Sequence, residues 1–350
     1  MNNERNYGID LLRLVLMFMV CMLHILGKGG ALAASSGSML SYGTFGFVKA
    51  CCYCAVNGFA IISGYVSSKR APRWNKLAEM WFQAFFYSFI LTLLFNLVNI
   101  GRGIEIKNYI KLFLPVTSGC FWYFTAYFVL FFAMPLLDRF VEALDVNAAR
   151  KAFIVIVVLF SFIGWPMDAF KAQSGYSAIW LMVMYCLGAL AKKIDLFAKR
   201  KSITLIILFV ISSLVSCGIK FAMGYGWLIK YSSPAMVLNG LILVVLFSRL
   251  KIKGTVVKRI SPLAFGIYLF QQNVVIWHIV LKDRMSFIAG KPLPVMVACL
   301  ILASAILFFG GMLVEFLRSQ AAKLLRINVL SRKIAELFEK ILSKATGILK

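Results

Sequence analysis

The sequence lacks several features on which common protein classes depend. It has no G-x-S-x-G motif, which excludes the usual serine-hydrolase arrangement. It has no internal repeat and no low-complexity linker that would divide the chain into soluble modules. Acidic residues are few, with 13 Asp and Glu against 38 Lys and Arg. The net charge of +25 is compatible with nucleic-acid binding, but basic cytoplasmic loops of a membrane protein explain it better, so no nucleic-acid partner is expected.

The eight cysteines are arranged neither as a disulfide framework nor as a metal site. Cys21, Cys186, Cys217 and Cys299 lie singly in apolar runs, and residues 51–54 contain three more. A zinc-type site needs convergent Cys, His or carboxylate ligands, and no histidine stands near residues 51–54. We predict that these cysteines pack as small apolar side chains and that the protein binds no metal.

Long hydrophobic runs fill the chain. Hydrophobic residues make up 61% of the 350 residues and the mean hydropathy is +0.86, too high for a water-soluble core of this length. Several runs approach the roughly 20 residues that a helix needs to cross a membrane. We predict an all-α, polytopic transmembrane helical bundle with about ten spans, within a range of eight to eleven. The predicted spans are residues 9–28, 44–66, 77–100, 120–137, 152–169, 176–191, 202–222, 231–248, 262–281 and 294–316.

The distribution of basic residues predicts the orientation of the bundle. With the N-terminus in the cytoplasm, the predicted inner segments carry 26 Lys and Arg and the outer segments carry 11. Because Lys and Arg concentrate in cytoplasmic loops, we expect both termini on that side.

This division makes residues 1–316 a membrane domain and residues 317–350 a basic cytoplasmic tail. The tail repeats apolar residues at helical spacing among Lys and Arg, as an amphipathic helix on a membrane surface does. Residues 31–33 (Ala-Leu-Ala) resemble a signal-peptide cleavage site after an apolar run. The run before them contains ionisable residues, so we expect it to be retained as the first span.

Three ionisable residues interrupt this first span: Asp10, Arg13 and His24. At about 100° per residue, all three fall on one face of a helix. Ionisable side chains inside a membrane are costly and usually face a cavity or a partner. We predict one polar cavity that serves all three, with His24 about 16 Å further along the axis than Arg13. The alternative is an interfacial Asp–Arg pair with His24 bonded only to a neighbouring helix.

Five motifs stand in order along the chain. The first is R-N-x-x-x-D-x-L-R at residues 5–13, with His24 eleven positions after Arg13. The others are FAIISGYV at 59–66, FWYFTAYFVLFFAMPLL at 121–137, ISPLAFGIYLF at 260–270 and VEFLRSQ at 314–320. Together they resemble acyltransferase family 3, a family of bacterial membrane acyltransferases.

The resemblance implies a fold of about ten helices and an acyltransferase of the O-acetyltransferase type. It implies acyl-CoA as donor, usually acetyl-CoA, with no bound cofactor. The implied acceptor is a sugar or cell-surface glycan, lipid-linked in some cases, and the implied location is the bacterial cytoplasmic (inner) membrane, with the lipid bilayer as partner. His24 would be the catalytic residue, supported by Arg13 and Asp10.

The resemblance also implies that Arg70 and Arg73, an R-x-x-R pair, bind the donor. The chemistry agrees, because coenzyme A carries phosphates and arginine forks bind phosphate well. An ordinary basic inner loop is the alternative.

Further polar residues are possible supporting members of the site: Ser63, Tyr65, Gln271, Glu315 and Arg318. Gln271 stands where the family often has histidine, and glutamine does not exchange protons at neutral pH. Glu315 and Arg318 are three residues apart and could pair with each other, with the Asp10–Arg13 pair, or with the donor.

Five other residues have open interpretations. Asn57 needs hydrogen-bond partners within its span. Glu79 is either interfacial or a partner of the R-x-x-R loop. Trp122 and Tyr123 fit an interfacial aromatic belt, with sugar stacking as the alternative, and His278 beside a tryptophan fits an interfacial anchor better than catalysis.

A different function class also fits part of the pattern. A proton-coupled secondary transporter or exporter would place Asp, Arg and His within ten spans. The missing internal repeat counts against it. The residues alone leave the acceptor, the acyl chain, and direct or covalent transfer open.

Overall fold

The computed structural model describes residues 5–67, 73–98, 106–224 and 226–348. Within these ranges the regular structure is helical and contains no strand, which confirms the all-α class. Short helices at Ala31–Ala34 and Ile106–Phe113 lie in connections. The main helices are α1 (Tyr7–Leu26), α2 (Met39–Tyr65), α3 (Trp74–Leu97), α4 (Trp122–Ala143), α5 (Val146–Ile163), α6 (Ala178–Lys193), α7 (Ser202–Met223), α8 (Pro234–Ser248), α9 (Thr255–Gln272), α10 (Leu293–Leu324) and α11 (Ile327–Ile348).

Seven helices of the described ranges are long and apolar enough to cross a membrane: α1, α2, α3, α4, α5, α7 and α10. An eighth candidate is α9 together with Ile276–Ile288, two segments that meet at an angle of 71°. α6 and α8 have 16 and 15 residues and are shorter than a typical span. Each predicted span thus coincides with a helix or with the bent pair. The count of ten and the cytoplasmic position of both termini stay predictions.

Polar residues just before apolar runs determine where some helices begin. The side chain of Asn6 accepts a hydrogen bond from the backbone N–H of Ile9 at 3.1 Å, at the start of α1. Asp145 caps α5 in the same way, accepting from Ala148 at 2.7 Å. Such caps satisfy backbone donors that have no partner inside the helix.

α1 lies at the centre of the bundle, where it contacts α2, α8, α9 and α10. In its most apolar segment 56% of the residues are buried, against 11% for α5 and 22% for α7. α5 and α7 therefore present most of their apolar side chains outwards, as helices facing lipid do. The central position of α1 surrounds its ionisable residues with other helices.

α2 and α6 cross backbone to backbone at two glycines. A Cβ atom on Gly64 would lie 1.9 Å from the carbonyl oxygen of Tyr185, and one on Gly188 would lie 2.1 Å from that of Ile61. Real Cβ atoms do not approach so closely, so only glycine fits either position. The close crossing places the end of α2 that carries Ser63 firmly in the bundle.

The C-terminal segment is helical, as predicted. α10 continues past residue 316 to Leu324, so the tail begins as an extension of this helix. α11 then packs against α3, with the ring of Phe338 centred 4.8 Å from that of Trp74 on α3, and it also approaches α4, with Phe338 6.0 Å from the ring of Phe132. The division at residue 316 and the membrane-surface position of the tail stay predictions.

Candidate active site

A cavity of about 680 Å³ runs alongside α1, between α2, α4 and α9. Arg13 and His24 both line it, and so does Lys28 just beyond the end of α1. The eleven helical steps from Arg13 to His24 span about 16 Å, so the cavity follows more than half of the 20-residue helix α1. The predicted sharing of one cavity by Arg13 and His24 is therefore present in the fold.

Asp10 lies behind Arg13 rather than in the cavity. Its carboxylate is buried, with the residue 1% exposed, and accepts hydrogen bonds from Arg13 Nη1 and Arg5 Nε, each at 2.5 Å. We expected Asp10, Arg13 and His24 all to face the cavity, but only Arg13 and His24 line it. Asp10 instead pairs with Arg13 one helical turn later and holds its guanidinium in place.

Two glutamines from α9 hold the ring of His24. Nδ1 of His24 lies 2.8 Å from the amide oxygen of Gln271, and Nε2 lies 3.2 Å from the amide nitrogen of Gln272. The Gln271 amide nitrogen faces the sulfur of Met17 at 3.4 Å, which directs its oxygen to His24. The contacts agree with a neutral imidazole that carries its proton on Nδ1 and accepts at Nε2. The Trp277 ring is perpendicular to the same imidazole, in a T-shaped contact with centroids 4.9 Å apart.

Helix α9 ends directly after its two glutamines and the chain bends there, which places both side chains beside His24. Asn273 ends the helix: its amide donates to the carbonyl of Tyr87 at 2.6 Å and to Oγ1 of Thr92 at 2.8 Å. Its side-chain oxygen accepts from the backbone N–H of Val275 at 2.9 Å and so starts the next helical segment. Tyr87 lies in a π-helical turn, Phe86–Ile90, which leaves its carbonyl free of the ordinary helix bond.

At the other end of the cavity, hydroxyl groups surround Arg13. Ser63 and Tyr127 line this end, and the Ser63 hydroxyl donates to the backbone carbonyl of Phe59 at 3.0 Å. The guanidinium groups of Arg13 and Arg73 are both close enough to the Tyr127 phenol to interact with it electrostatically. Arg73 is exposed and directly precedes α3. Arg70 lies outside the described residues.

The hydroxyl of Tyr123 lies buried in the cavity wall without a hydrogen-bond partner among the described residues. Its ring is nearly parallel to that of Tyr127, with centroids 6.3 Å apart, and meets Phe59 edge-on at 6.3 Å. A buried hydroxyl without a partner costs free energy, so a ligand in this cavity would gain a ready hydrogen bond.

The end of the cavity near Lys28 and Lys49 carries a cluster of aromatic rings. Tyr231 stacks on Tyr53 with centroids 4.6 Å apart, and Tyr176 lies 4.8 Å from Tyr231 and 4.6 Å from Trp122. Trp122 and Tyr123 thus face a cavity and do more than form an interfacial belt. The sequence did not single out Tyr53, Tyr176 or Tyr231, because they lie in three separate segments, within α2 and just before α6 and α8, without a shared motif.

Several predicted supporting residues lie outside the cavity lining. The hydroxyl of Tyr65 donates to Ser248 Oγ at 3.2 Å. Glu315 and Arg318 pair with each other at 2.7 and 2.8 Å, and Tyr87 donates to Glu315 at 2.9 Å. Glu315 and Arg318 thus pair with each other and not with Asp10 or Arg13. The hydrogen bond from Tyr87 to Glu315 joins α3 to α10.

The remaining candidates have local partners. Asn57 donates to the carbonyl of Tyr231 at 2.8 Å and accepts from the Trp180 indole at 2.9 Å, which meets its predicted need for partners. Glu79 pairs with Lys76 on the same helix at 2.6 Å.

His278 is exposed in the segment after the break. The eight cysteines are free, and within the described ranges no group of three or more His, Cys, Asp or Glu residues is placed to hold a metal.

Comparison with known proteins agrees with the motifs. A family model described as an acyltransferase domain matches residues 6–314, nearly the whole chain. Among curated proteins and solved structures, none matches the chain. The resemblance that the five motifs carry is confirmed by the family match, and the apolar helices agree with a multi-pass membrane protein. The chain therefore belongs to acyltransferase family 3 and is a membrane acyltransferase.

Proposed function

We propose that the protein transfers an acyl group, acetyl in the simplest case, from cytoplasmic acyl-CoA to a hydroxyl of a sugar or cell-surface glycan. The observation that supports this most is the single cavity lined by both Arg13 and His24. It brings the Arg13 guanidinium and the His24 imidazole into one space. The bacterial cytoplasmic membrane is the proposed location.

The donor would bind from the end that carries Arg13. Arg73, with Arg70, is proposed to hold the phosphates of coenzyme A, since arginine forks suit phosphate oxygens. The thioester arm would lie along the cavity between Phe59, Tyr123 and Tyr127. Its amide carbonyls would satisfy the Tyr123 hydroxyl, which has no partner among the described residues.

His24 is proposed as the general base. Its Nε2 removes the proton of the acceptor hydroxyl while the hydroxyl oxygen bonds to the thioester carbonyl carbon. The tetrahedral intermediate then loses the coenzyme A thiolate by cleavage of the C–S bond, and the imidazolium returns the proton to that sulfur. The alternative is that Nε2 itself first takes the acyl group and passes it on.

The test uses purified full-length protein in detergent with radiolabelled acetyl-CoA and bacterial surface glycan. We expect labelled glycan from the wild type and a loss of about 10²–10⁴-fold in kcat for His24→Ala, the usual contribution of a general base. Arg150→Ala, a change of an exposed cation on α5, serves as a control for correct insertion. Full turnover by His24→Ala would reject the catalytic assignment.

The same assay separates the enzyme from the transporter alternative. The bent pair α9 and Ile276–Ile288 beside His24 is the feature that a transporter would also show. Detergent removes compartments, so product formed in detergent can only come from chemistry. Uptake into vesicles without any acylated product would favour transport.

A further inference from the structure

A second cavity, of about 510 Å³, adjoins the break after α9. It shares two lining residues, Gln272 and Trp277, with the cavity described above. Both shared residues contact the ring of His24. The imidazole itself lines only the first cavity, and Gln272 and Trp277 separate it from the second.

The two glutamines that hold His24 differ in how firmly they are held. Gln271 is fully buried, and both ends of its amide are bonded, to His24 and to Met17. Gln272 is half-buried at the last position of α9 and contacts His24 through its amide nitrogen. In this position it covers Nε2, the atom that must receive the proton of the acceptor. Gln272 must move for catalysis, whereas Gln271 can keep the ring oriented.

Lysine side chains lie in and beside the second cavity. Lys111 lines it, together with the ring of His278. Lys28 and Lys282 interact electrostatically with His278, and Lys28 also lies over the Trp277 ring at 5.3 Å from its centroid. Among the described lining residues there is no Asp or Glu. This charge distribution suits a ligand with a phosphate or a carboxylate.

Two π-helical turns border the same cavity. One, Phe86–Ile90, contributes Ser88, and the other, Ile276–Leu281, contributes Trp277 and His278. Such turns are rare and are frequent at functional sites. Their coincidence around one cavity is an observation independent of its charge.

The aromatic end of the first cavity is a poorer route for an acceptor. The rings of Tyr53, Tyr176 and Tyr231 pack against one another, and the hydroxyls of Tyr53 and Tyr176 are 3.4 Å apart. Their faces are thus already covered by other rings. A sugar would have to separate them before it could stack there.

We propose that the acceptor reaches His24 through the second cavity, that it carries an anionic group, and that Gln272 is the positioning residue that must move aside to admit its hydroxyl. The proposal rests on the proposed acyl transfer. The bonds made and broken are those given above for that reaction. The donor keeps the first cavity, so both substrates meet at Nε2 from different sides.

The charge of the second cavity is tested first, without any need for turnover. Cys120 lines this cavity and is partly exposed, so its labelling rate reports on the ions that reach it. The purified chain is treated with an anionic sulfonate and a cationic trimethylammonium methanethiosulfonate, each rate divided by that for free cysteine. We expect the anionic reagent to be favoured by about 10-fold, and Lys111→Gln to reduce this preference. Cys120→Ser shows how much of the labelling occurs at Cys120. Equal normalised rates for the two reagents would overturn the proposed charge of the cavity.

Protection from labelling then identifies the anion. Glucose 1-phosphate, glucuronate and glucose are each added before the anionic reagent. Protection by either acid supports the proposal, and the better protector distinguishes a phosphate-linked from a carboxylate-bearing acceptor. Equal protection by neutral glucose, or protection by none of the three, would overturn the proposal that the acceptor carries an anionic group.

The route is tested by turnover. Sulfonate-labelled Cys120 should slow acetyl transfer to glycan by about 10-fold or more, while Cys120→Ser should show the same rate with and without reagent. Gln272→Ala should lower KM for the acceptor and increase acetyl-CoA hydrolysis without acceptor, with KM for acetyl-CoA unchanged. Unaltered transfer after labelling, or an unaltered acceptor KM and hydrolysis rate in Gln272→Ala, would overturn the route. If the wild type transfers no acetyl group, the proposed acyl transfer is refuted. The labelling rates test the charge of the second cavity separately.

Discussion

The amide oxygen of Gln271 lies 2.8 Å from Nδ1 of His24, although the two residues are 247 positions apart in the chain. A glutamine amide does not exchange protons at neutral pH, so Gln271 contributes no proton transfer. It selects the tautomer and direction of the histidine that is proposed to act. The geometry that the proposed reaction needs is therefore held by a neutral side chain.

Replacement of Gln271 by alanine should weaken catalysis more than donor binding. Without the amide oxygen, the imidazole can rotate and Nε2 loses its direction into the cavity. We expect kcat for acetyl transfer to fall by about 10–100-fold, with KM for acetyl-CoA within about twofold of the wild type. Gln320→Ala, a half-buried glutamine of α10 that lines neither cavity, is the matched control. A larger change in donor KM than in kcat would contradict this role.

Replacement of Tyr123 by phenylalanine should weaken donor binding. The change removes the unpartnered hydroxyl and keeps the ring, so the packing with Tyr127 and Phe59 is preserved. One neutral hydrogen bond contributes about 0.5–1.5 kcal/mol, which corresponds to a rise of about 2–10-fold in KM for acetyl-CoA. Tyr42→Phe removes a hydroxyl elsewhere and should change nothing. An unaltered donor KM in Tyr123→Phe would mean that the arm does not contact this hydroxyl.

Replacement of Asp10 by asparagine should lower both stability and activity. The carboxylate is buried between two guanidinium groups, of which Arg13 is 32% and Arg5 45% exposed. Because solvent screens both cations, we expect a loss of about 1–3 kcal/mol, less than for a fully buried pair. Thermal unfolding in detergent measures the loss. Arg5→Ala should have the smaller effect, and an equal or larger effect would contradict the view that Asp10 chiefly positions Arg13.

Replacement of Gly64 by alanine should disrupt the crossing of α2 and α6. The added Cβ would lie 1.9 Å from the carbonyl oxygen of Tyr185, on backbone that cannot move aside freely. Overpacking of this kind costs about 1–3 kcal/mol or more. Gly310→Ala on α10 is the control, because its added Cβ would meet nothing within 4 Å. The melting temperatures should separate the two variants, and similar values would show that the crossing is not tight.

The helical class and the approximate position of each span could be predicted, because the length of an apolar run and the cost of exposed backbone are local properties of the chain. The break after α9 could not. Residues 262–281 are predicted as one continuous span, whereas Asn273 ends the helix through bonds to Tyr87 and Thr92, which lie 186 and 181 residues earlier. Run length carries no information about such long-range partners.

By itself, the sequence determined that α1 is an apolar helix with Asp10, Arg13 and His24 on one face, since this follows from composition and the pitch of a helix. Only the tertiary structure decided that Arg13 and His24 share a cavity while Asp10 is turned behind Arg13. It alone brought Gln271 and Gln272 to the two nitrogens of His24. The physical reason is that these contacts depend on how separate helices rotate and cross, and side-chain spacing within one helix cannot specify that.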